Sequence, residues 1–405
     1  HGGGDYYKLS QFKKRNSTET TYNHFHENVR IDSMLILPQE NIRNNVLENF
    51  FSPLKEAQSM KEINLSLKMI KQAYHFIEPE TGVLIGLYSE KKLLAYVSPE
   101  LHFKNNISGF LGVANEGDKR TMSGELQFHF ENLWHTAGVI DIQLKRWKAE
   151  SEKLYLSVQE PLLFHFPFGA KLEYRYEVHE GLYVKTQSSL GVLSRGYGIG
   201  NWEFTGLNTE IEPTEPGMEK GLHFIKEHLF RVTHSIDLRK RKWQPNQGLN
   251  SRTMVSIGKL SVMNESHTTG ELNNLIEIVH ILAPNTGMKN KIEFKSKWTR
   301  RDSLEWSQMI RYGGLENLRG YRENQFFSDW IFLPSVEFFR YLTDETTISI
   351  FSEGAIQKKY HPYPWNYGAS LEQRYSNNHI SISFAWGRED SFSHGKVHIK
   401  YVNVL

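Results

Sequence analysis

From Leu101 onward the chain alternates apolar and polar residues with a period of two, and helical periodicity disappears. Leu126, Phe128 and Phe130 alternate with Glu125, Gln127, His129 and Glu131. Ile140, Ile142 and Leu144 alternate with Asp141, Gln143 and Lys145, and Leu154, Leu156 and Val158 with Lys153, Tyr155, Ser157 and Gln159. The pattern returns at Ile292, Phe294 and Trp298 and at Ile380, Ile382, Phe384 and Trp386. Successive side chains of a strand point to opposite faces, so each run reads as a strand with one apolar and one polar face. About sixteen such segments of roughly ten residues follow one another, the length of a tilted bilayer-spanning strand. Asn115-Glu116-Gly117-Asp118, Pro167-Phe168-Gly169, Glu180-Gly181 and Asn285-Thr286-Gly287 are turn signals between them. A soluble sandwich also alternates, so the period alone does not separate a sandwich from a closed barrel. A barrel has no sheet edge, which is what a bilayer demands.

Composition narrows the choice. Hydrophobic residues make up 39% of the 405, and no apolar run approaches the length of a membrane-spanning helix. A barrel would keep hydropathy this low, because half of each strand faces a polar lumen. Aromatic residues reach 13%, which suits the girdles of a barrel at the membrane interfaces and also an aromatic-rich soluble β-protein. A net charge of +2 without a basic stripe argues against nucleic acid as a partner. The sequence has no cysteine, so neither disulfides nor thiol chemistry nor a lipid-anchor cysteine is expected. No signal peptide opens the chain, and His1-Gly2-Gly3-Gly4 reads as a processed end.

Before the strands lie two other segments. Residues 1–27 are polar and read as a linker or an ordered remnant; the pair His24 and His26 has no clear third ligand, so no metal site is expected. Residues 28–100 read as a small α/β unit. Val29, Ile31, Met34, Ile36 and Leu37 suggest a strand, and Gln39 to Phe51 a helix with Ile42, Val46 and Phe50 on one face, broken by Pro53. Ser59-Met60-Lys61-Glu62 is a capping-box pattern opening a second helix whose apolar face is Met60, Ile63, Leu67, Ile70 and Tyr74. Short strands are expected around Val83–Tyr88 and Leu93–Val97. Two excursions interrupt the later strands: Asn208 to Gly221, read as an exterior loop or lid or an ordinary long hairpin, and Trp243 to Asn250.

One stretch departs from alternation altogether. Arg311-Tyr312-Gly313-Gly314-Leu315-Glu316-Asn317-Leu318-Arg319-Gly320-Tyr321 sits between strand-like segments. Gly313, Gly314 and Gly320 permit backbone angles and close approaches closed to other residues. Arg319 offers a planar fork of donors suited to carboxylates. Downstream, Glu337 and Glu353 lie in alternating strands, on the same faces as Ser335 and Ser349.

Leu318-Arg319-Gly320-Tyr321, followed by Glu337 and Glu353, resembles the BamA/TamA/FhaC superfamily of outer-membrane assembly and secretion barrels. Ile107-Ser108-Gly109-Phe110-Leu111-Gly112-Val113, Ser123-Gly124-Glu125-Leu126 and Glu131-Asn132-Leu133-Trp134 resemble its first two strands, and Glu160-Pro161-Leu162-Leu163-Phe164 with Phe166-Pro167-Phe168-Gly169 a turn after the fourth. The resemblance covers most of residues 28–405. It implies a mainly β fold: a transmembrane antiparallel barrel of about sixteen strands over residues 101–405, preceded at 28–100 by a POTRA domain, the periplasmic module of this family. It also implies that the long loop folds into the lumen and that Arg319 pairs there with Glu337 and Glu353. Where the family usually places an aspartate, this chain has Glu353 directly before Gly354, and it lacks the family's terminal aromatic residue.

The resemblance further implies an outer-membrane location and partners in the bilayer and in unfolded or partly folded outer-membrane or exported proteins, with periplasmic chaperones and accessory lipoproteins. The expected function is assembly or translocation of β-rich clients through the seam between first and last strands. Alternatives are a secretion pore for one exported protein and a passive pore. Gly109 and Gly112 in the first strand and Gly395 at the start of the last are expected to weaken that seam, since glycine weakens strand pairing. Asn105 falls on the otherwise apolar face of the first strand. No Gly-x-Ser-x-Gly elbow, phosphate loop or His-Glu-x-x-His is present, so no enzyme and no cofactor is expected.

Overall fold

The computed structural model describes all residues except 1–5, 15–16, 26–31, 58, 90–91, 117–118, 149, 164–165, 167, 197–199, 240–246 and 405. His26, Val29 and Ile31, part of the Trp243–Asn250 excursion, and the turn residues Gly117, Asp118 and Pro167 thus lie outside the described residues. In the polar amino-terminal segment, β1 (Tyr6–Lys14) and β2 (Ser17–Phe25) pair as an antiparallel hairpin.

The α/β unit runs β3 (Ser33–Ile36), α1 (Asn44–Phe50), α2 (Ser52–Lys55), α3 (Met60–Ala73), β4 (Gly82–Ser89) and β5 (Lys92–Ser98). β5 is central, parallel to β3 and antiparallel to β4. The first helix is shorter than its apolar spacing suggested, and Ile42 packs from the segment ahead of it. Pro53 stops α1 but sits in the first turn of α2, where its missing N–H costs nothing. Ser59 caps α3 by accepting a hydrogen bond from the Glu62 N–H. Phe50, Ile63 and Ile70 are completely buried, and Phe50 packs on Tyr74 and Phe76 with ring centroids 4.5 and 5.2 Å apart.

The rest is a barrel. Its strands are β6 (Asn106–Glu116), β7 (Lys119–Glu131), β8 (Val139–Lys148), β9 (Ser151–Glu160), β10 (Phe168–His179), β11 (Tyr183–Gly196) and β12 (Gly200–Pro213). After the short helix α4 (Glu215–Glu219) come β13 (Ile225–Asp237), β14 (Gly248–Val262), β15 (Glu265–Ala283) and β16 (Thr286–Thr299). A small hairpin, β17 (Ile310–Tyr312) and β18 (Phe326–Ser328), stands apart from the wall, which resumes with β19 (Trp330–Tyr341), β20 (Thr346–Gly354), β21 (Trp365–Tyr375), β22 (Asn378–Gly387) and β23 (Lys396–Val404). The wall is a closed ring of sixteen antiparallel strands, with β23 paired to β6. The period of two resolves into an outer apolar face and an inner polar one. Leu111, Leu126, Leu144, Ile292, Ile350 and Ile399 are exposed on the outside, whereas Glu125, Lys145, Lys297, Glu337, Glu353 and His398 take part in buried or part-buried contacts within. A soluble sandwich would bury those leucines against a second sheet; here they form the surface a bilayer would cover.

The α/β unit sits at one end of the barrel. Ala137 and Leu162, from the turns after β7 and β9, belong to its apolar core, and the Arg43 N–H donates to His135 O across 3.0 Å. At the opposite end the expected Asn208–Gly221 excursion is shorter than its sequence suggested: β12 runs on to Pro213, and only the residues after it form a packed cap. Thr214 caps α4, and a Cβ on Gly217 would fall 1.9 Å from Leu182 O, so only glycine lets the helix lie that close. Leu182, Tyr183, Ile211, Leu222 and Ile225 form a small core there that continues to Trp306.

Candidate functional site: a lumen loop clamped to the wall

The segment between β16 and β19 starts at the end remote from the α/β unit and turns back inside the barrel. β17 and β18 form its base. Beyond them Gly313 and Gly314 adopt φ of 119° and 93°, angles that favour glycine. They close a tight turn in which Gly314 and Leu318 exchange backbone hydrogen bonds of 3.1 and 3.0 Å, while Asn317 Oδ1 accepts from Gly313 N at 2.7 Å. A Cβ on Gly313 would lie 2.5 Å from Arg322 O. Leu318 is fully buried with Tyr312, Ile331, Leu333 and Ala355, so the turn is anchored by an apolar plug beside its charged residue.

Arg319 faces two strands at once. Its backbone N–H and its Nε donate to the two oxygens of Glu353, each at 2.8 Å, and Nη2 reaches Glu337 at 3.2 Å. The guanidinium carbon lies 3.3 Å from the centre of the Phe351 ring. Glu337 is held in turn by Ser349 Oγ at 2.7 Å and Lys289 Nζ at 3.2 Å. These side chains are mostly buried, and such a cluster holds together only when each charge finds partners. Gly320 lets the loop lie close against the wall: a Cβ there would come within 2.7 Å of Gly387 N and Trp386 C, backbone atoms of β22. Tyr321 Oη donates to Trp365 O at 3.1 Å and accepts from Arg388 N at 3.2 Å.

The alternation of β19 and β20 brings Arg319, Glu337 and Glu353 together with Ser349, while Ser335 stands opposite Glu353 in the register. Sequence reasoning missed Phe351, Lys289 and His398. Phe351 shares the inward parity of Ser349 and Glu353, which was readable; the nearness of Lys289 and His398 depends on strand register and barrel closure. His398 Nε2 donates to Arg319 O at 2.7 Å, and its ring stacks on Phe110 of β6. The loop also reaches the other side of the lumen, where Lys145 of β8 bridges Glu323 of the loop at 2.8 Å and Glu125 of β7 at 3.2 Å.

The seam differs from expectation in three respects. Gly109 and Gly112 stand opposite Tyr401 and His398, and pairing runs unbroken over eight residue pairs, as many as between β22 and β23. Gly112 serves packing, since a Cβ would lie 2.8 Å from the Phe110 ring and 2.6 Å from Ser123 Oγ. Gly395 is not in the seam: β23 begins one residue later, and Gly395 makes room for the Trp386 indole, 2.5 Å from where its Cβ would be. Asn105 precedes β6, and its Oδ1 accepts from Glu131 N at 2.8 Å, so it is a satisfied connector rather than a polar flaw in the apolar face.

No protein-family model and no curated protein matches this sequence. Solved structures do match in fold. CdiB from Acinetobacter baumannii superposes with a TM-score of 0.65 at 11% identity, over 95% of this chain and 75% of that one. CdiB from Escherichia coli gives 0.61 at 12% identity, over 98% and 80%. BamA from Haemophilus ducreyi lacking POTRA domains 1-3 gives 0.59 at 10% identity, over 99% and 90%. The chain therefore shares the fold of these BamA and CdiB structures, and its lumen-loop motif and acidic strand positions resemble those of the BamA/TamA/FhaC superfamily.

Proposed function

We propose that this protein works in an outer membrane, assembling or translocating β-rich client proteins through the seam between β6 and β23. The observation that carries this reading is the clamp of Arg319. One loop residue holds β19 and β20 through its side chain and the seam strand β23 through its carbonyl, so release of the loop and opening of the seam share a part. An open seam exposes backbone donors and acceptors to which an incoming strand can add. In this reading the α/β unit, with its strand–helices–strand–strand order, is a POTRA domain facing the periplasm. It receives unfolded outer-membrane or exported proteins, with chaperones and accessory lipoproteins as further partners. The chain does this work without enzymatic chemistry.

The test is the outer-membrane proteome after depletion of the protein. Broad loss of barrel proteins is expected. Loss of one exported protein alone would replace this reading with that of a dedicated secretion pore. An unchanged proteome beside a steady conductance would replace it with a passive pore.

A further inference from the structure

The outer face of the barrel carries a row of aromatic rings beside the seam. Trp365 and Tyr367 are exposed on the outer face of β21, and Tyr367 stands opposite Trp386 of β22 in the register. The ring centroids of Trp365 and Tyr367 are 5.8 Å apart, and those of Tyr367 and Trp386 5.9 Å. The row continues past the end of the strand. Phe392, in the turn between β22 and β23, stacks on Trp386 at 5.4 Å with the ring planes 17° apart. Phe392 is 87% exposed.

The turn is built to hold that ring out. Trp386 Nε1 donates to Phe392 O at 3.0 Å, and Gly395 leaves room for the indole. Asp390 Oδ2 accepts from Gly387 N at 2.8 Å and pairs with Lys396 Nζ at 2.6 Å, so both ends of the turn are tied to one carboxylate. A lone exposed ring on a protein surface is ordinary. A fixed ring that forgoes burial and extends a row along the bilayer-facing wall marks a contact surface. Arg388 and Glu389 of the same turn are exposed, so the surface mixes rings with charges. That mixture suits the headgroup layer, where an aromatic body is covered beside polar groups, and not the hydrocarbon core.

We propose that the turn between β22 and β23 docks on the outer leaflet of the bilayer, with Phe392 seated among the lipid headgroups. The row is continuous with the apolar wall that a bilayer covers, which makes lipid its partner. This rests on the reading of the barrel as an outer-membrane protein with its α/β unit in the periplasm, since the turn lies at the end remote from that unit. β23 starts at Lys396, just past the turn, so the contact fixes the outer end of the seam strand at the membrane surface.

The photoreactive residue p-benzoylphenylalanine replaces Phe392 in one variant and Ile350, on the outer face of β20, in another. The two positions are 87% and 63% exposed, so neither replacement disturbs packing. Each purified chain is reconstituted into vesicles of dioleoylphosphatidylcholine, irradiated and analysed by mass spectrometry. Covalent lipid adducts are expected at both positions. Adducts at Ile350 with none at Phe392 would overturn the proposal and leave the membrane barrel standing. Loss of adducts at both positions would overturn the docking and the membrane barrel together. Joined dimers at Phe392 in place of lipid adducts would make a second copy of the chain the occupant and overturn the proposal as well.

Discussion

His398 Nε2 donates a hydrogen bond of 2.7 Å to the carbonyl oxygen of Arg319, so the last strand of the barrel holds the backbone of the residue whose side chain grips β19 and β20. Replacing His398 with Leu removes the donor and leaves a carbonyl buried without a partner, a cost of about 1–3 kcal/mol. The variant should fold but lose its compact gel migration at lower temperature than the wild type. An unchanged midpoint would mean that the contact contributes nothing to the loop's attachment.

Arg319→Ala should have a larger effect. It strips both Glu337 and Glu353 of a partner and leaves buried carboxylates facing each other's field, at about 3–5 kcal/mol for a broken buried pair. Glu353→Gln should cost less, since a neutral amide oxygen still accepts from the Arg319 N–H. Trypsin cleavage after Arg322 reads loop release directly. Equal protection of Arg319→Ala and wild type would count against the clamp.

Two glycines, one in the lumen loop and one in the seam strand, should respond differently. Gly320→Ala drives a Cβ into the backbone of β22 and should cost about 1–3 kcal/mol by overpacking. At Gly109 the nearest atoms to a Cβ are Leu126 Cδ2 at 3.5 Å and Glu125 O at 3.7 Å, ordinary contacts, so Gly109→Ala should be close to neutral. Heat-modified migration of the two variants side by side decides it. A reversed order would show that the loop does not lie against the wall.

Leu111 and Ile399 face each other across the seam on the outer face, and the sequence has no cysteine to interfere. Leu111→Cys with Ile399→Cys should form a disulfide on oxidation and stop client assembly or export, with recovery on reduction. If the oxidised protein works as well as the reduced one, lateral opening is not its mechanism.

In the α/β unit, Phe50→Ala empties a completely buried site between Tyr74 and Phe76 and should cost about 3–5 kcal/mol. Protease should then cut within residues 33–98 while the barrel keeps its heat-modified shift. Coincident loss of both would show that the two units fold as one.

The sequence by itself determined the wall. A period of two repeated through residues 101–405 allows each strand one apolar and one polar face, and the inward parity of Glu337, Ser349 and Glu353 follows from counting. The glycines of the loop were readable too, because a turn at φ of 119° and 93° excludes most other residues. Tertiary structure decided which strands meet and which atoms complete the site. Lys289 and His398 reach the clamp from strands more than a hundred residues apart, and His398 meets Arg319 only because the loop turns back through the lumen. Alternation fixes the face of a residue and carries no information about its height or its neighbour. Those are set by register and by closure of the ring, which also moved Gly395 out of the seam and gave Asn105 a backbone partner.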